Sequence, residues 1–287
     1  MIGAGISESD VRVAGGRLRV RDHGGGGRLV VCIPGLSANA TSFDVLGRRL
    51  VTDHDRHVVS LDLRGRGFSE TTAAGTYGWP AHARDVLDLI RLFGNSADVV
   101  GHSMGAYVAM AVAGAEPDAV ARLVLIDGLG PPEQAALPPI VAALERLGTV
   151  HPSTDAYIAR VRAIGAVDPW SEDWERHYTY DLEPTEGGVR SRTDRDAVLE
   201  DARWGAEHDP REMWAAITQP TLLVRALRPI GDGGFIVSAA DRDAFLERLP
   251  NAREVAIDAN HYTVVADEAT AAQVGAFLDE PDAAATR

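Results

Sequence analysis

The pentapeptide Gly101-His102-Ser103-Met104-Gly105 has the G-x-S-x-G form. A short apolar run, Asp98-Val99-Val100, precedes it, and a helix-like run from Ala106 to Ala113 follows. Strand, tight turn and helix in that order lift a serine hydroxyl out of a sheet on a strained corner. Glycine on both sides lets the strand and the helix cross without Cβ clashes. A helix that starts directly after Ser103 leaves its first N–H groups free to meet developing negative charge. An ordinary helix N-cap would account for the serine but not for the flanking glycines.

A serine hydroxyl is a weak nucleophile at neutral pH. It needs a base within hydrogen-bond reach and a third group to orient that base. Of the nine histidines, only His261 follows the last strand-like run, in Asn260-His261-Tyr262. His102 belongs to the turn and is expected to pack beneath it. Two acids follow strand-like runs. Asp127 comes directly after Leu123-Val124-Leu125-Ile126, and Asp232 lies beyond Thr221–Val224 in Ile230-Gly231-Asp232-Gly233-Gly234. Strand ends of a parallel sheet lie side by side along one edge, so either carboxylate could reach the imidazole. Asp127 also suits a turn before Gly128, and Asp232 suits a glycine-flanked turn.

These residues need a scaffold. Asp10–Ala14 and Arg17–Asp22 read as a hairpin about Gly15-Gly16. Leu29–Ile33, His57–Leu61, Asp98–Val100, Leu123–Ile126, Thr221–Val224 and Arg253–Ile257 read as further strands. Between several of them lie helical patterns, such as Phe43 to Leu50, Ala81 to Phe93, Ala240 to Leu249 and Glu268 to Leu278. Continuous apolar strands alternating with helices predict a mostly parallel sheet covered on both faces. From Pro131 to about Pro220 no strand pattern is visible. This charged stretch holds Trp170, Trp174, Trp204 and Trp214, read mostly as packing rather than as an aromatic cage. Residues 1–130 and 216–287 are expected to form the core, and 131–215 a helical cap insertion.

Composition narrows the function. The net charge of −14 and pI near 5.0 argue against nucleic acid or anionic membrane partners. No apolar run approaches the ~18 residues of a membrane span. Residues 1–10 carry neither a basic nor an apolar leader segment, so a cytoplasmic protein is expected. Gly24 to Gly27 lacks the Lys-Ser/Thr ending of a phosphate loop. The single cysteine, Cys32, lies in a buried-strand pattern and reads as a small hydrophobe. No ligand cluster has zinc spacing, so no metal or cofactor is expected. The expected partner is a small-molecule substrate, and a homodimer stays open.

In its motifs the chain resembles the α/β-hydrolase superfamily over nearly its whole length. Pro34-Gly35-Leu36 follows the third strand, where the family usually has His-Gly-x. Asp62-Leu63-Arg64-Gly65-Arg66-Gly67-Phe68-Ser69 looks like the family's loop after the fourth strand. The elbow and Asn260-His261-Tyr262 complete the series in order. The resemblance implies an α/β fold with an eight-stranded, mostly parallel sheet flanked by helices, Ser103 as nucleophile and His261 as base. Most members carry the acid after the strand that here ends near Val224, which points toward Asp232. A subgroup carries it after strand six, which points to Asp127, the favoured choice. That subgroup includes the amide hydrolase of vitamin B6 breakdown, zearalenone lactonase and cofactor-free quinaldine dioxygenases. The oxyanion hole would use the backbone N–H groups of Leu36 and Met104. Arg64 and Arg66 are expected to brace the sheet edge, while Arg225 and Arg228 could point into the pocket or outward. The implied activity is a serine hydrolase acting on an ester, lactone or amide. Its rivals are a carbon–carbon bond hydrolase, a cofactor-free oxygenase and a non-catalytic ligand-binding module.

Overall fold

The computed structural model describes residues 5–281, so the leader expectation falls partly outside the described residues. β1 (Ser7–Val13) and β2 (Gly16–Gly24) form an antiparallel pair. Next come β3 (Leu29–Ile33), α1 (Asp44–His54), β4 (His57–Leu61) and α2 (Trp79–Phe93). β5 (Ala97–His102), α3 (Met104–Ala115) and β6 (Val120–Ile126) follow. After an intervening segment the alternation resumes with β9 (Thr221–Ala226), α8 (Ala239–Arg248), β10 (Ala252–Ile257) and α9 (Glu268–Leu278). The eight strands run in the order β1-β2-β4-β3-β5-β6-β9-β10. The pairs from β4 through β10 are parallel, and those involving β2 are antiparallel.

Burial explains this layering. Every residue of β3 and β5 is buried, as a strand covered on both faces requires. One apolar layer gathers Val31, Val99 and Leu125 against Leu89, Val108 and Phe245. The other gathers Val30, Val100 and Val124 against Leu46, Leu50 and Phe277. α2 buries one stripe, including Val86, Leu89 and Ile90, and turns Arg91 and Leu92 outward. α3 buries nine of its twelve residues, which suits its apolar sequence. Ser153, Ser171, Asp194, Ser238 and Asp267 each accept a backbone N–H at a helix start. Each such cap contributes ~1 kcal/mol.

The segment between β6 and β9 holds α4 (Leu137–Leu144), α5 (Thr154–Ala163), α6 (Glu172–Tyr180) and α7 (Arg195–Glu207). It also holds a two-stranded ribbon, β7 (Leu182–Thr185) with β8 (Gly188–Ser191), which corrects the reading of this stretch as strand-free. The strands are only four residues long, too short for an alternating pattern to stand out. Their turn needs positive φ at Gly187 and Gly188 (94° and 144°), which glycine tolerates. Among the described residues no helix is long and apolar enough to cross a membrane. None of their His, Cys, Asp and Glu side chains cluster as a metal site would require.

Candidate active site

The carboxyl ends of β3, β5, β6 and β10 meet at one edge of the sheet. At the end of β5, Ser103 sits at φ 57° and ψ −123°, a strained conformation for a side-chain-bearing residue. Its N–H is held by the carbonyl of Ile126 at 2.9 Å. The two glycines of the elbow are required by space. A Cβ on Gly101 would lie 2.1 Å from the Gly105 carbonyl oxygen, and one on Gly105 would lie 2.1 Å from that of Ile33. α3 can therefore start directly beneath the end of β3 only because both positions lack a side chain.

His261 arrives on the loop after β10. The Asn260 side-chain oxygen accepts from the N–H groups of Tyr262 and Thr263, both at 3.0 Å, and shapes that loop. The His102 ring lies 4.9 Å from the His261 ring, and its Nε2–H donates to the His261 carbonyl at 2.9 Å. Burial, aided by the neighbouring His261, pulls His102 down to about 3, so it stays neutral and serves as a prop.

Asp127 ends β6 at φ 44°. Its N–H bonds the Val224 carbonyl at 2.8 Å, and its Oδ1 accepts from the Ala226 N–H at 3.0 Å. Both tie it to neighbouring β9. Its Oδ2 accepts from His261 Nδ1–H at 2.9 Å, and His261 Nε2 lies 3.0 Å from Ser103 Oγ. An ionised carboxylate can only accept, so the Nδ1 proton is fixed and Nε2 is left to accept from the serine hydroxyl. Asp232, the alternative acid, is exposed in a turn where Ile230 and Gly234 exchange backbone bonds of 2.9 and 3.1 Å. It makes no hydrogen bond to His261.

The expected oxyanion donors, the N–H groups of Leu36 and Met104, belong to the two segments that meet at Ser103. Gly35 approaches so closely that a Cβ there would lie 3.2 Å from Ser103 Cβ. The Gly35 carbonyl accepts from Ala38 N–H at 3.2 Å, which turns the opposite end of that peptide, the Leu36 N–H, away from the turn. Met104 is the first residue of α3, so its N–H has no partner within the helix.

The site opens on a cavity of about 730 Å³. Its wall is mainly apolar, with Trp79, Leu137, Ile140, Leu144, Trp174 and Tyr178 among the lining residues. Trp174 is the one tryptophan of the intervening segment that lines it. Trp214 instead packs on Phe245 and gives its indole N–H to the Leu129 carbonyl at 3.1 Å. Two polar side chains of the lining carried no sequence signal. His177 donates through Nδ1 to Thr41 Oγ1 at 3.0 Å, because that hydroxyl already donates to Asn39 Oδ1 at 2.5 Å. Burial, aided by Arg146, pulls His177 down to about 3. Arg146 follows α4, with its guanidinium 5.8 Å from the Tyr178 ring centroid. It donates to the Tyr157 hydroxyl and the Ser37 carbonyl, both at 3.3 Å, and to Ser37 Oγ at 3.4 Å, and it forms no ion pair among the described residues. The chain has no lysine and 28 arginines, so this one did not stand out.

Other arginines are occupied. Arg64 grips Asp85 through two bonds of 2.8 and 2.6 Å. Arg225 pairs with Glu254 at 2.6 Å and Arg228 with Asp258 at 3.4 Å, and neither lines the cavity. Cys32 is fully buried, which pushes its thiol above the usual range.

The family model described as "Alpha/beta hydrolase family" matches residues 30–285. The chain is 30% identical to 2-(acetamidomethylene)succinate hydrolase of Mesorhizobium japonicum over 269 residues, 91% of each chain. It is 31% identical to N-formylmaleamate deformylase of Pseudomonas putida, covering 94% of this chain and 98% of that one. A crystal structure of E-2-(acetamidomethylene)succinate hydrolase superposes with a TM-score of 0.85 at 26% identity, covering 96% of this chain and all of the other. The chain thus belongs to the alpha/beta hydrolase family and is a hydrolase.

Proposed function

We propose that the protein hydrolyses a small amide, ester or lactone that carries a carboxylate, through an acyl-enzyme on Ser103. The observation that carries this reading is the hydrogen-bonded chain from Ser103 through His261 to Asp127, 3.0 and 2.9 Å, at the floor of the cavity. Ser103 Oγ attacks the carbonyl carbon while its proton passes to His261 Nε2. Asp127 keeps the imidazole in the right tautomer and stabilises the imidazolium. The N–H groups of Leu36 and Met104 receive the oxyanion. The imidazolium then protonates the leaving nitrogen or oxygen as the scissile bond breaks. Water attacks the acyl-enzyme, gives its proton to His261, and collapse returns that proton to Ser103 with release of the acid.

Arg146 supports the carboxylate. A guanidinium on an apolar cavity wall without a counter-ion is costly, and an anionic ligand group would offset that cost. Asp181, whose charge acts on Arg146, already accepts from the Ser191 and Thr193 hydroxyls, both at 2.7 Å. The two near-full-length relatives carry names of amides that also bear carboxylates, which favours an amide. The segment 131–215 acts as a cap, since α4 and α7 line the cavity.

The test is a fluorophosphonate probe with intact-mass and peptide analysis, beside a panel of amides and esters in carboxylate and methyl-ester forms. An adduct on Ser103, absent from Ser103→Ala, together with preference for the carboxylate forms, is expected. Turnover that survives Ser103→Ala would refute the acyl-enzyme and favour a mechanism in which His261 acts as base alone.

A further inference from the structure

Arg66 is fully buried, yet it lies one step from the reacting centre. Its Nε and Nη2 both donate to the Leu36 carbonyl, at 3.0 and 2.9 Å. Nη1 donates to the Arg64 carbonyl at 3.0 Å. Nη2 also pairs with Asp201 Oδ2 at 2.6 Å, and neither side chain is exposed. Asp201 belongs to α7, whose residues line the cavity. Its other donors are the Gly78 N–H at 2.6 Å on Oδ1 and His82 Nε2 at 2.9 Å on Oδ2. Burial would raise the Asp201 carboxyl, but the hydrogen bond and charge of His82, the charge of Arg66 and the Gly78 N–H hold it at about 2. Burial lowers His82, which leaves Arg66 as the permanent cation opposite Asp201.

We propose that Arg66 is a positioning residue for the oxyanion hole, and that Asp201 couples it to the cap helix α7. This rests on the acyl-enzyme reading of Ser103. Leu36 carries the candidate oxyanion N–H on one side of its Cα and the clamped carbonyl on the other. Two donors on one carbonyl fix the plane of the Leu36–Ser37 peptide, and the turn bond from Ala38 N–H to the Gly35 carbonyl fixes the peptide before it. The Leu36 N–H is therefore aimed by the turn bond on its own peptide and by the Arg66 clamp on the next. An oxyanion donor is effective only if its direction is set before charge develops. An arginine suits this because its planar fork delivers parallel N–H groups, which a lysine cannot do.

Further bonds tie the same loop to the intervening segment. The Asp194 N–H reaches the Gly65 carbonyl at 2.8 Å, and the Tyr180 hydroxyl reaches Asp62 Oδ2 at 3.2 Å. A substrate that presses on α7 thus acts on the group that holds Leu36.

The test compares wild type with Arg66→Lys and Asp201→Asn. Arg66→Lys keeps a charge opposite Asp201 but loses the paired bonds to Leu36. In Asp201→Asn the Gly78 N–H retains the carboxamide oxygen, which turns the NH2 toward Arg66 and pushes the guanidinium away. Each variant should lower kcat by roughly tenfold to a hundredfold, less than the ~10²–10³ lost when a donor is removed outright. KM and the affinity for the product acid should stay within threefold. Affinity for an aryl boronate, whose tetrahedral adduct places oxygen in the oxyanion hole, should fall by the same factor as kcat/KM. A merely structural role would lower the melting temperature and leave the ratio of boronate to product affinity unchanged, which would overturn the proposal. So would an unchanged kcat in the two variants. If one variant fails to fold, the other carries the comparison. If both do, the coupling is overturned in favour of a structural salt bridge. Fluorophosphonate labelling of wild-type Ser103 separates this from the underlying reading: no adduct there indicts the nucleophile, not Arg66.

Discussion

Replacing Asp127 by asparagine tests the site at its most informative bond. The carboxylate now serves two donors, the Ala226 N–H at 3.0 Å on Oδ1 and His261 Nδ1–H at 2.9 Å on Oδ2. A carboxamide has one acceptor and one donor end. If its oxygen stays with the buried Ala226 N–H, its NH2 faces His261 Nδ1. The imidazole must then carry its proton on Nε2, where it points at Ser103 and cannot act as a base. If the side chain turns over, the correct tautomer returns but the Ala226 N–H is left against an NH2. An unsatisfied buried donor costs ~1–3 kcal/mol, so the competent form falls to roughly 1–20% of molecules. In either form the negative charge opposite the forming imidazolium is gone, and hydrogen bonds to charged groups contribute ~1.5–3 kcal/mol. The two losses together reach ~3–6 kcal/mol, or ~10²–10⁴ in rate. We expect kcat for an activated ester to fall by about 10³-fold, with KM and the thermal midpoint little changed. Asp232→Asn, in its exposed turn, should match wild type. Stopped-flow acylation with active-site titration checks this. Asp127→Asn within tenfold of wild type and folded, or the loss appearing in Asp232→Asn, would refute the reasoning.

Arg146→Met should raise KM for a carboxylate substrate by about 10²-fold, in line with loss of a charge-assisted pair of ~3 kcal/mol, while its methyl ester is turned over unchanged. Equal losses on both substrates in a kinetic comparison would remove the anion role. Gly105→Ala puts a Cβ 2.1 Å from the Ile33 carbonyl oxygen, so it should cost at least ~2–3 kcal/mol or prevent folding, which urea titration measures. Acid should weaken the fold. Burial depresses His23 to about 4 and His102 and His177 to about 3, and lowers His82 as well. Below the unfolded value of ~6.5 the unfolded chain takes up protons that the native state refuses, so this stability is present above that pH and lost as pH falls. Asp62, pushed up to about 7 by burial, works in the opposite sense over the same window. His23, His102 and His177 set against Asp62 leave a net of about two protons, or ~3 kcal/mol per pH unit at its steepest near pH 5–6, and urea midpoints that stay flat from pH 7.5 to 5 would contradict it.

Much of this protein is written locally. Buried strands such as Leu29–Ile33 are unbroken apolar runs, and the elbow needs glycine on both sides of a strained serine, so both are visible without a partner. The order of strands and helices follows because each element carries its own period and its own caps. The acid was different. Asp127 and Asp232 both follow strands, and sequence cannot say which strand end turns its side chain back. The positive φ of Asp127 and the N–H of Ala226 on the adjacent strand decide that, and both arise only when β6 pairs with β9. The β7–β8 ribbon was too short to announce itself. Arg146 and His177 look like any other polar residue along the chain, and Arg66 reads only as a brace of the sheet edge. Their roles come from what surrounds them: a carbonyl and an aspartate for Arg66, an apolar wall for Arg146, a committed hydroxyl for His177. Burial and the direction of a hydrogen bond are properties of the assembled molecule, whereas periodicity and turn chemistry belong to the chain itself.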